Sequence, residues 1–265
     1  MRLTIVASGS KGNALVIDFG STRIAVDAGF GGRGLARRMR DVGIAPESIS
    51  ACIVTHEHFD HARGALAARK KWRWTLAATP ATLDAIGATR ARERSVPLDY
   101  GCRGSFGDAE VTLIQVSHDA VAPAAVLVED SVSGARIGIA YDLGVVPATL
   151  ATAFAALDVL VIEANHDIGM LRAGPYPPML QDRIAGSQGH LSNFQAALFA
   201  REMVHPGLRA IVLAHLSENN NTPQLARESV GRQLRRTQFR GKLGAAMQER
   251  AVAVGDVKEI QLRLF

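Results

Sequence analysis

Seven consecutive residues, Thr55-His56-Glu57-His58-Phe59-Asp60-His61, carry three of the chain's eight histidines and two carboxylates. Burying so many polar groups costs free energy unless each finds a partner or a charge to bind. Neutral imidazole and carboxylate are the usual donors to zinc and other divalent first-row metals, and the packed spacing lets alternate side chains face one pocket. The apolar run 51–55 reads as a short strand that delivers this loop. The competing reading is a solvated polar loop.

One loop of this size cannot close two coordination spheres, so further ligands must come from elsewhere in the chain. Strands are expected at 111–116, 125–129, 136–141, 159–163 and 209–214, and most run straight into a polar or titratable residue. His118 follows the first of these, Asp142 the third and His215 the last. Each singly reads equally well as a strand cap or core histidine; together they form a constellation.

The rest of the pattern suggests where that constellation is mounted. Runs at 3–7, 14–18 and 22–27, separated by Gly-containing turns, read as an antiparallel meander. Helices are expected at 35–42, 147–156, 193–203 and 223–236. The mixture predicts two sheets with helices outside, an α/β/β/α sandwich. With 265 residues, 48% hydrophobic and 21% charged, and no linker-like tract, we expect one domain over 1–265 rather than a disordered, collagenous or disulfide-stapled chain.

Cys52 and Cys102 form no CxxC pair, which argues against a disulfide framework or thiolate site and favours a reducing compartment. The first apolar residues are too few for a signal-peptide core, and the apolar stretch from Leu143 contains Pro147 and ends at Asp158. A cytoplasmic, unanchored protein with no membrane partner is expected. The formal net charge of +5 mildly favours polyanionic partners.

The chain resembles the metallo-β-lactamase-fold hydrolases, whose HxHxDH loop matches His56, His58, Asp60 and His61. Carried over by motif order, the resemblance implies that His56, His58 and His118 hold one metal. Asp60, His61 and His215 would hold a second, with Asp142 bridging. Asp27, in Val26-Asp27-Ala28-Gly29, matches the family's early aspartate that supports the loop, and reads equally well as a turn-forming Asp before Gly. Two such metals, zinc, manganese or iron, share a water, lower its pKa and clamp ester oxygens, which makes a hydroxide nucleophile without Ser or Cys. A redox branch of the fold replaces the second loop histidine with a carboxylate; His58 favours hydrolysis.

A phosphodiester leaves as a poor alkoxide, so its cleavage benefits from a general acid. Glu163 and His190, the latter in Gly189-His190-Leu191-Ser192-Asn193, are the candidate pair, and with Asp60 they are the expected catalytic residues. The order resembles ribonuclease Z, and a structural histidine before a helix cap at Ser192 or Asn193 is the plainer alternative. Closer is the resemblance to the bacterial YycJ/WalJ group of exonucleases, carried by residues 7–13, 55–61, 117–120, 163–167, 189–193 and 213–221. It implies metal-dependent, 5′-to-3′ removal of nucleotides, mainly from DNA, with a role in repair. No cap-sized insertion lies between Asp142 and His215, and no tRNA-binding arm is evident.

Ser10, Lys11 and Asn13, in a Gly-rich turn, and Asn219 are candidate substrate contacts, although hairpin geometry and helix capping explain them as well. Basic clusters at Arg37, Arg38 and Arg40, at Lys70, Lys71 and Arg73, and along 227–236 suggest a nucleic-acid groove or solvated helix faces, with Trp72 and Trp74 as stacking surfaces beside the second. His205 reads as a surface loop residue; His166 and Asp167 either reach the cleft or close a turn. The competing functions are a thioester or lactam hydrolase on the same metals and a catalytically idle binding module.

Overall fold

Successive side chains of a strand point to opposite faces, so apolar runs as short as these can each feed two cores. The computed structural model describes residues 1–90, 93–257 and 259–264. The meander is β1 (Arg2–Ala7), β2 (Ala14–Asp18) and β3 (Arg23–Val26), with Gly20 at φ 93° in the turn between the last two. It is followed by α1 (Gly32–Asp41), β4 (Ala51–Ile53), α2 (Phe59–Ala62), α3 (Ala65–Trp72), β5 (Thr75–Ala78), α4 (Pro80–Ala85) and β6 (Ser95–Pro97). Next come β7 (Arg103–Phe106), β8 (Ala109–Gln115), β9 (Ala124–Asp130), β10 (Arg136–Ala140), α5 (Ala148–Ala153) and β11 (Val159–Glu163). The chain continues through α6 (Ile168–Ala173), α7 (Pro178–Ala185), α8 (Asn193–Glu202), β12 (Ala210–Ala214) and α9 (Pro223–Leu234). Strands β13 (Lys242–Ala245), β14 (Val252–Asp256) and β15 (Glu259–Leu264) complete it.

Among the described residues these strands form two mixed sheets, ordered β15-β14-β1-β2-β3-β4-β5-β6 and β13-β12-β11-β10-β9-β8-β7. Inward residues of both, such as Ile5, Ile24, Val126 and Val161, pack into one inter-sheet core. The outward face of the first sheet is covered by Leu35 and Met39 of α1 and Ala68 and Trp72 of α3. That of the second is covered by Leu150 of α5, Phe199 of α8 and Val230 of α9. The result is the expected four-layer αββα sandwich.

Strands β3 to β6 run parallel, as do β10 to β13. Ala140, Ile162 and Leu213 are level in register, so Asp142, Glu163 and His215 emerge together at the carboxyl ends of β10, β11 and β12. Open α/β sheets place ligands at such ends.

The expected helices hold, α8 and α9 starting at the expected residue and the other ends differing by one to three. Helix α8 opens with a capping box between Ser192 and Gln195. Helix α9 is capped by Thr222, whose hydroxyl accepts from Leu225 N, rather than by the preceding asparagines. The tryptophans correct the sequence reading: Trp74 is fully buried with its indole N–H on the Pro46 carbonyl, and Trp72 is packed in the same helix-covered core. Neither offers a face to a nucleobase. Both cysteines are free thiols, Cys52 buried and Cys102 exposed.

Candidate metal centre and active site

Asp27, Asp142 and His215, each just past a strand, take left-handed backbone with φ of 62°, 56° and 52°. Such conformations cost of order 1 to 3 kcal/mol each in non-glycine residues and recur where function needs a side chain aimed off the strand. The metal-loop backbone is tied to the sheet by Asn13 N–H to the Asp60 carbonyl (2.8 Å) and Ala28 N–H to the His61 carbonyl (2.7 Å). Gly29 permits that approach, since a Cβ there would stand 1.7 Å from the Asp60 carbonyl oxygen.

His56, His58 and His118 present ligand atoms that all lie within 4.8 Å of one another, and so do those of Asp60, His61 and His215. Asp142 joins the two groups: its Oδ2 lies 3.8 Å from His56 Nε2 and 2.7 Å from His61 Nε2. Outer partners turn the rings inward. His61 Nδ1 lies 2.7 Å from Asp27 Oδ2, His118 Nδ1 lies 3.1 Å from the Gly189 carbonyl, and His56 Nδ1 lies 3.1 Å from Thr55 Oγ1. Asp27 also accepts from Thr55 N (2.8 Å) and the Tyr141 hydroxyl (2.7 Å). Carboxylate-oriented imidazoles of this kind are what metal sites use to fix tautomer and direction.

The residues fit a divalent cation. His56 Nε2 is buried and lacks a hydrogen-bond partner, a costly state for a polar atom unless it serves as a donor to a cation, and Asp142 Oδ2 is buried against the Nε2 atoms of both His56 and His61. The donor set is imidazole and carboxylate with no thiolate, suiting zinc, manganese or iron.

Charge in the cluster is strongly interdependent. Burial lowers the pKa of His56, with the charge on His61 acting in the same direction. Burial also opposes a proton on His61, but the carboxylates of Asp142 and Asp27 outweigh it and raise its pKa. For His215 the same contest, settled by Asp142, Asp60 and Glu163, ends at about 9. Asp142 and Asp60 are held well below the usual carboxylate range because the surrounding imidazoles overcome their burial.

Glu163 is fully buried beside this cluster, and His190 lies 22% exposed between it and a cavity of about 240 Å³. His190 Nδ1 is 2.8 Å from Glu163 Oε1 and 3.2 Å from Asp142 Oδ1. Burial works against a charged His190, yet Glu163 and Asp142 raise its pKa well above the ordinary value. Glu163, conversely, is drawn down to about 2 despite its burial, chiefly by His190 and then by His215.

The candidate substrate contacts are placed differently from one another. Ser10 lines the cavity with His58 and Asp60. The Lys11 ammonium pairs with Glu218 at 2.7 Å, and its backbone N–H goes to Gln248. Asn13 is buried, accepting from the Ser8 hydroxyl and Gly9 N and standing 3.1 Å from His61 Nε2. Asn219 is exposed, with its amide on the Tyr176 hydroxyl. Asp167 caps α6, and His166 is buried beside it. Arg38 is drawn to Glu249 and lies over Phe30.

Other residues at the site were missed. Arg183 and Leu180 of α7 line the cavity, Asp119 faces His118, and Phe59 is 68% exposed with the Arg63 guanidinium 4.6 Å over its ring. The positions of Phe59 inside the histidine loop and of Asp119 directly after His118 were usable signals; nothing in the sequence marked Arg183 or Leu180.

Residues 22–216 match the family model described as Beta-lactamase superfamily domain. The exodeoxyribonuclease WalJ of Streptococcus pneumoniae serotype 2 (strain D39) is 32% identical over 240 residues, covering 88% of each chain. The exodeoxyribonuclease YycJ of Bacillus anthracis is 31% identical over 243 residues, covering 90% of this chain and 91% of that one. The fold is also that of the metallo-beta-lactamase fold protein YhfI from Bacillus subtilis, with a TM-score of 0.73 at 14% identity over 95% and 98% of the two chains. On the extent of the family match and the identity to WalJ and YycJ, the chain belongs to the beta-lactamase superfamily.

Proposed function

We propose that the protein is a metal-dependent phosphodiesterase that removes nucleotides from DNA in the 5′-to-3′ direction, within a single domain spanning 1–265. The observation that carries the chemistry is the Glu163–His190 pair at the cavity wall, next to the histidine and aspartate cluster. Relatives of the chain over most of its length bear the name exodeoxyribonuclease, which supports DNA as substrate.

In this reading His56, His58 and His118 hold one divalent cation, Asp60, His61 and His215 hold another, and Asp142 lies between the two sets. When bound, such cations would supply a water of lowered pKa and neutralise charge gathering on phosphate oxygens. Asp60, partly open to the cavity, would hold a cation and is placed to accept a hydrogen bond from an attacking water. Glu163 accepts from His190 Nδ1, fixing the ring and favouring its protonated form. As the oxygen of a deprotonated water bonds to phosphorus and the bond to the leaving nucleotide oxygen breaks, Nε2 of His190 delivers its proton to that leaving oxygen, and Glu163 stays ionised throughout. Ser10 lies where it can donate to the substrate.

Zinc, manganese and iron all suit the donors, and a role in DNA repair is part of this reading through the resemblance to the YycJ/WalJ group. A cytoplasmic setting is supported by two unpaired thiols, and among the described residues no helix is long and apolar enough to cross a membrane. End-labelled duplex and single-stranded DNA with 5′-phosphate or 5′-hydroxyl ends, digested with each metal in turn, tests the reading. Mononucleotides released from the 5′ end support it, and inertness towards all nucleic acids removes it.

A further inference from the structure

The cavity beside the metal centre is lined by Asp60, Asp119 and Asp142, and among its described lining residues Arg183 is the sole lysine or arginine. Asp60 and Asp142 are matched by the cations proposed for the two ligand sets, but Asp119 adds a carboxylate on the side from which a polyanion approaches, and a side-chain cation beside it is placed both to offset that charge and to meet phosphate oxygens. We propose that Arg183 grips the anionic phosphate oxygens of the substrate and that Asp119 positions its guanidinium for this; the inference rests on the phosphodiesterase reading and assigns a substrate contact within it.

The geometry is specific. Arg183 directs Nε (3.1 Å) and Nη2 to the same oxygen, Oδ2, of Asp119. The other oxygen of that carboxylate lies 3.2 Å from His118 Nε2 and 4.0 Å from His58 Nε2. A single carboxylate therefore spans from the guanidinium to two imidazoles of the first metal set. Two of the five guanidinium N–H donors are used on Asp119, and with the side chain 71% exposed the remaining fork is available to an anion.

Arg183 is also coupled to the general acid. The His190 N–H donates to the carbonyl of Ile184, the next residue after Arg183, at 2.8 Å, and Asp119 N–H donates to the Gln188 carbonyl at 3.2 Å. Gly189 makes this packing possible, because a Cβ there would stand 2.2 Å from the Ile184 carbonyl oxygen. Helix α7, the His190 loop and the Asp119 loop thus form one connected wall, and a phosphate held by Arg183 is held at a fixed place relative to His190.

The test is steady-state hydrolysis of bis(p-nitrophenyl) phosphate and of a 5′-phosphorylated oligonucleotide by the metal-loaded protein and its R183A, R183K and D119N variants. Metal content and thermal midpoint are measured on each, and thymidine 5′-monophosphate affinity is measured by calorimetry. In R183A, KM and the monophosphate Kd rise about tenfold to hundredfold while kcat changes far less, the scale of a charge-assisted contact. R183K recovers part of the loss, and D119N loses less than R183A. Loss on both substrates puts the grip on the scissile phosphate, and loss on the oligonucleotide alone puts it on a neighbouring one; each supports the clamp. Unchanged KM and monophosphate affinity in R183A overturn it. A wild-type protein that hydrolyses neither substrate overturns the phosphodiesterase reading instead, and the calorimetry then still decides whether Arg183 binds phosphate.

Discussion

Glu163 meets His190 through one oxygen, at 2.8 Å from Nδ1, while its other oxygen accepts from the backbone N–H groups of Leu143 (3.2 Å) and Leu191 (3.0 Å). The carboxylate is clamped from both sides and cannot rotate away from the imidazole. A strand end, a loop after β10 and the loop before α8 are joined in one buried knot.

Replacing His190 by alanine lowers kcat on DNA by roughly a hundredfold to ten-thousandfold, the usual range for a positioned general acid. The fall is much smaller on p-nitrophenyl esters, whose leaving group departs without a proton. Bound metal, measured by elemental analysis, persists. Equal losses on both leaving groups would assign His190 to metal support.

Asp27→Asn removes the charge behind His61 while keeping the shape of the side chain. Metal affinity, read by competition with a chelator, falls about tenfold to a hundredfold, as for other outer partners of ligating histidines. Asp27→Ala also leaves Thr55 and Tyr141 without their acceptor and costs about 3 to 5 kcal/mol in chemical denaturation.

His166 is buried, and burial holds its pKa down to about 4 despite the nearby charges of Glu163 and Asp167, with His190 and Arg172 acting against protonation. The unfolded chain therefore takes up this proton first as pH falls below the ordinary histidine value of 6.5. Its contribution to stability is intact above pH 6.5 and is lost progressively on the way down to about pH 4. Urea midpoints measured across that window decline in the wild type, and the decline is shallower in His166→Gln.

Cys52 is fully buried, and burial together with Asp27 pushes its thiol pKa well up. An aromatic disulfide reagent labels one thiol per native chain, Cys102, and two after denaturation. Rapid labelling of both in the native state would contradict the packing of β4.

Much of the site was legible because its residue types are rare and stand at strand ends. The histidine loop, His118, Asp142 and His215 announce themselves by chemistry, and the apolar runs before them give the sheets. The contribution of α7 did not show, because an exposed Arg183 and an Asp119 read the same whether they pair over a cavity or lie in water. Trp72 and Trp74 misled for a related reason: basic neighbours in sequence say nothing about which face an indole takes. Strands β5, β6, β7 and β13, of three or four residues each, carry too few for their period to register, and only pairing with neighbours makes them strands.

The level register of β10, β11 and β12 restricts how such chains can diverge in length. Deleting one residue within β11 would invert its alternation, withdraw Glu163 and offer Ala164 in its place, while the same deletion in a connecting loop leaves the geometry untouched. Insertions and deletions that natural selection tolerates should accordingly fall between these three strands and never inside them, whatever else in the sequence drifts.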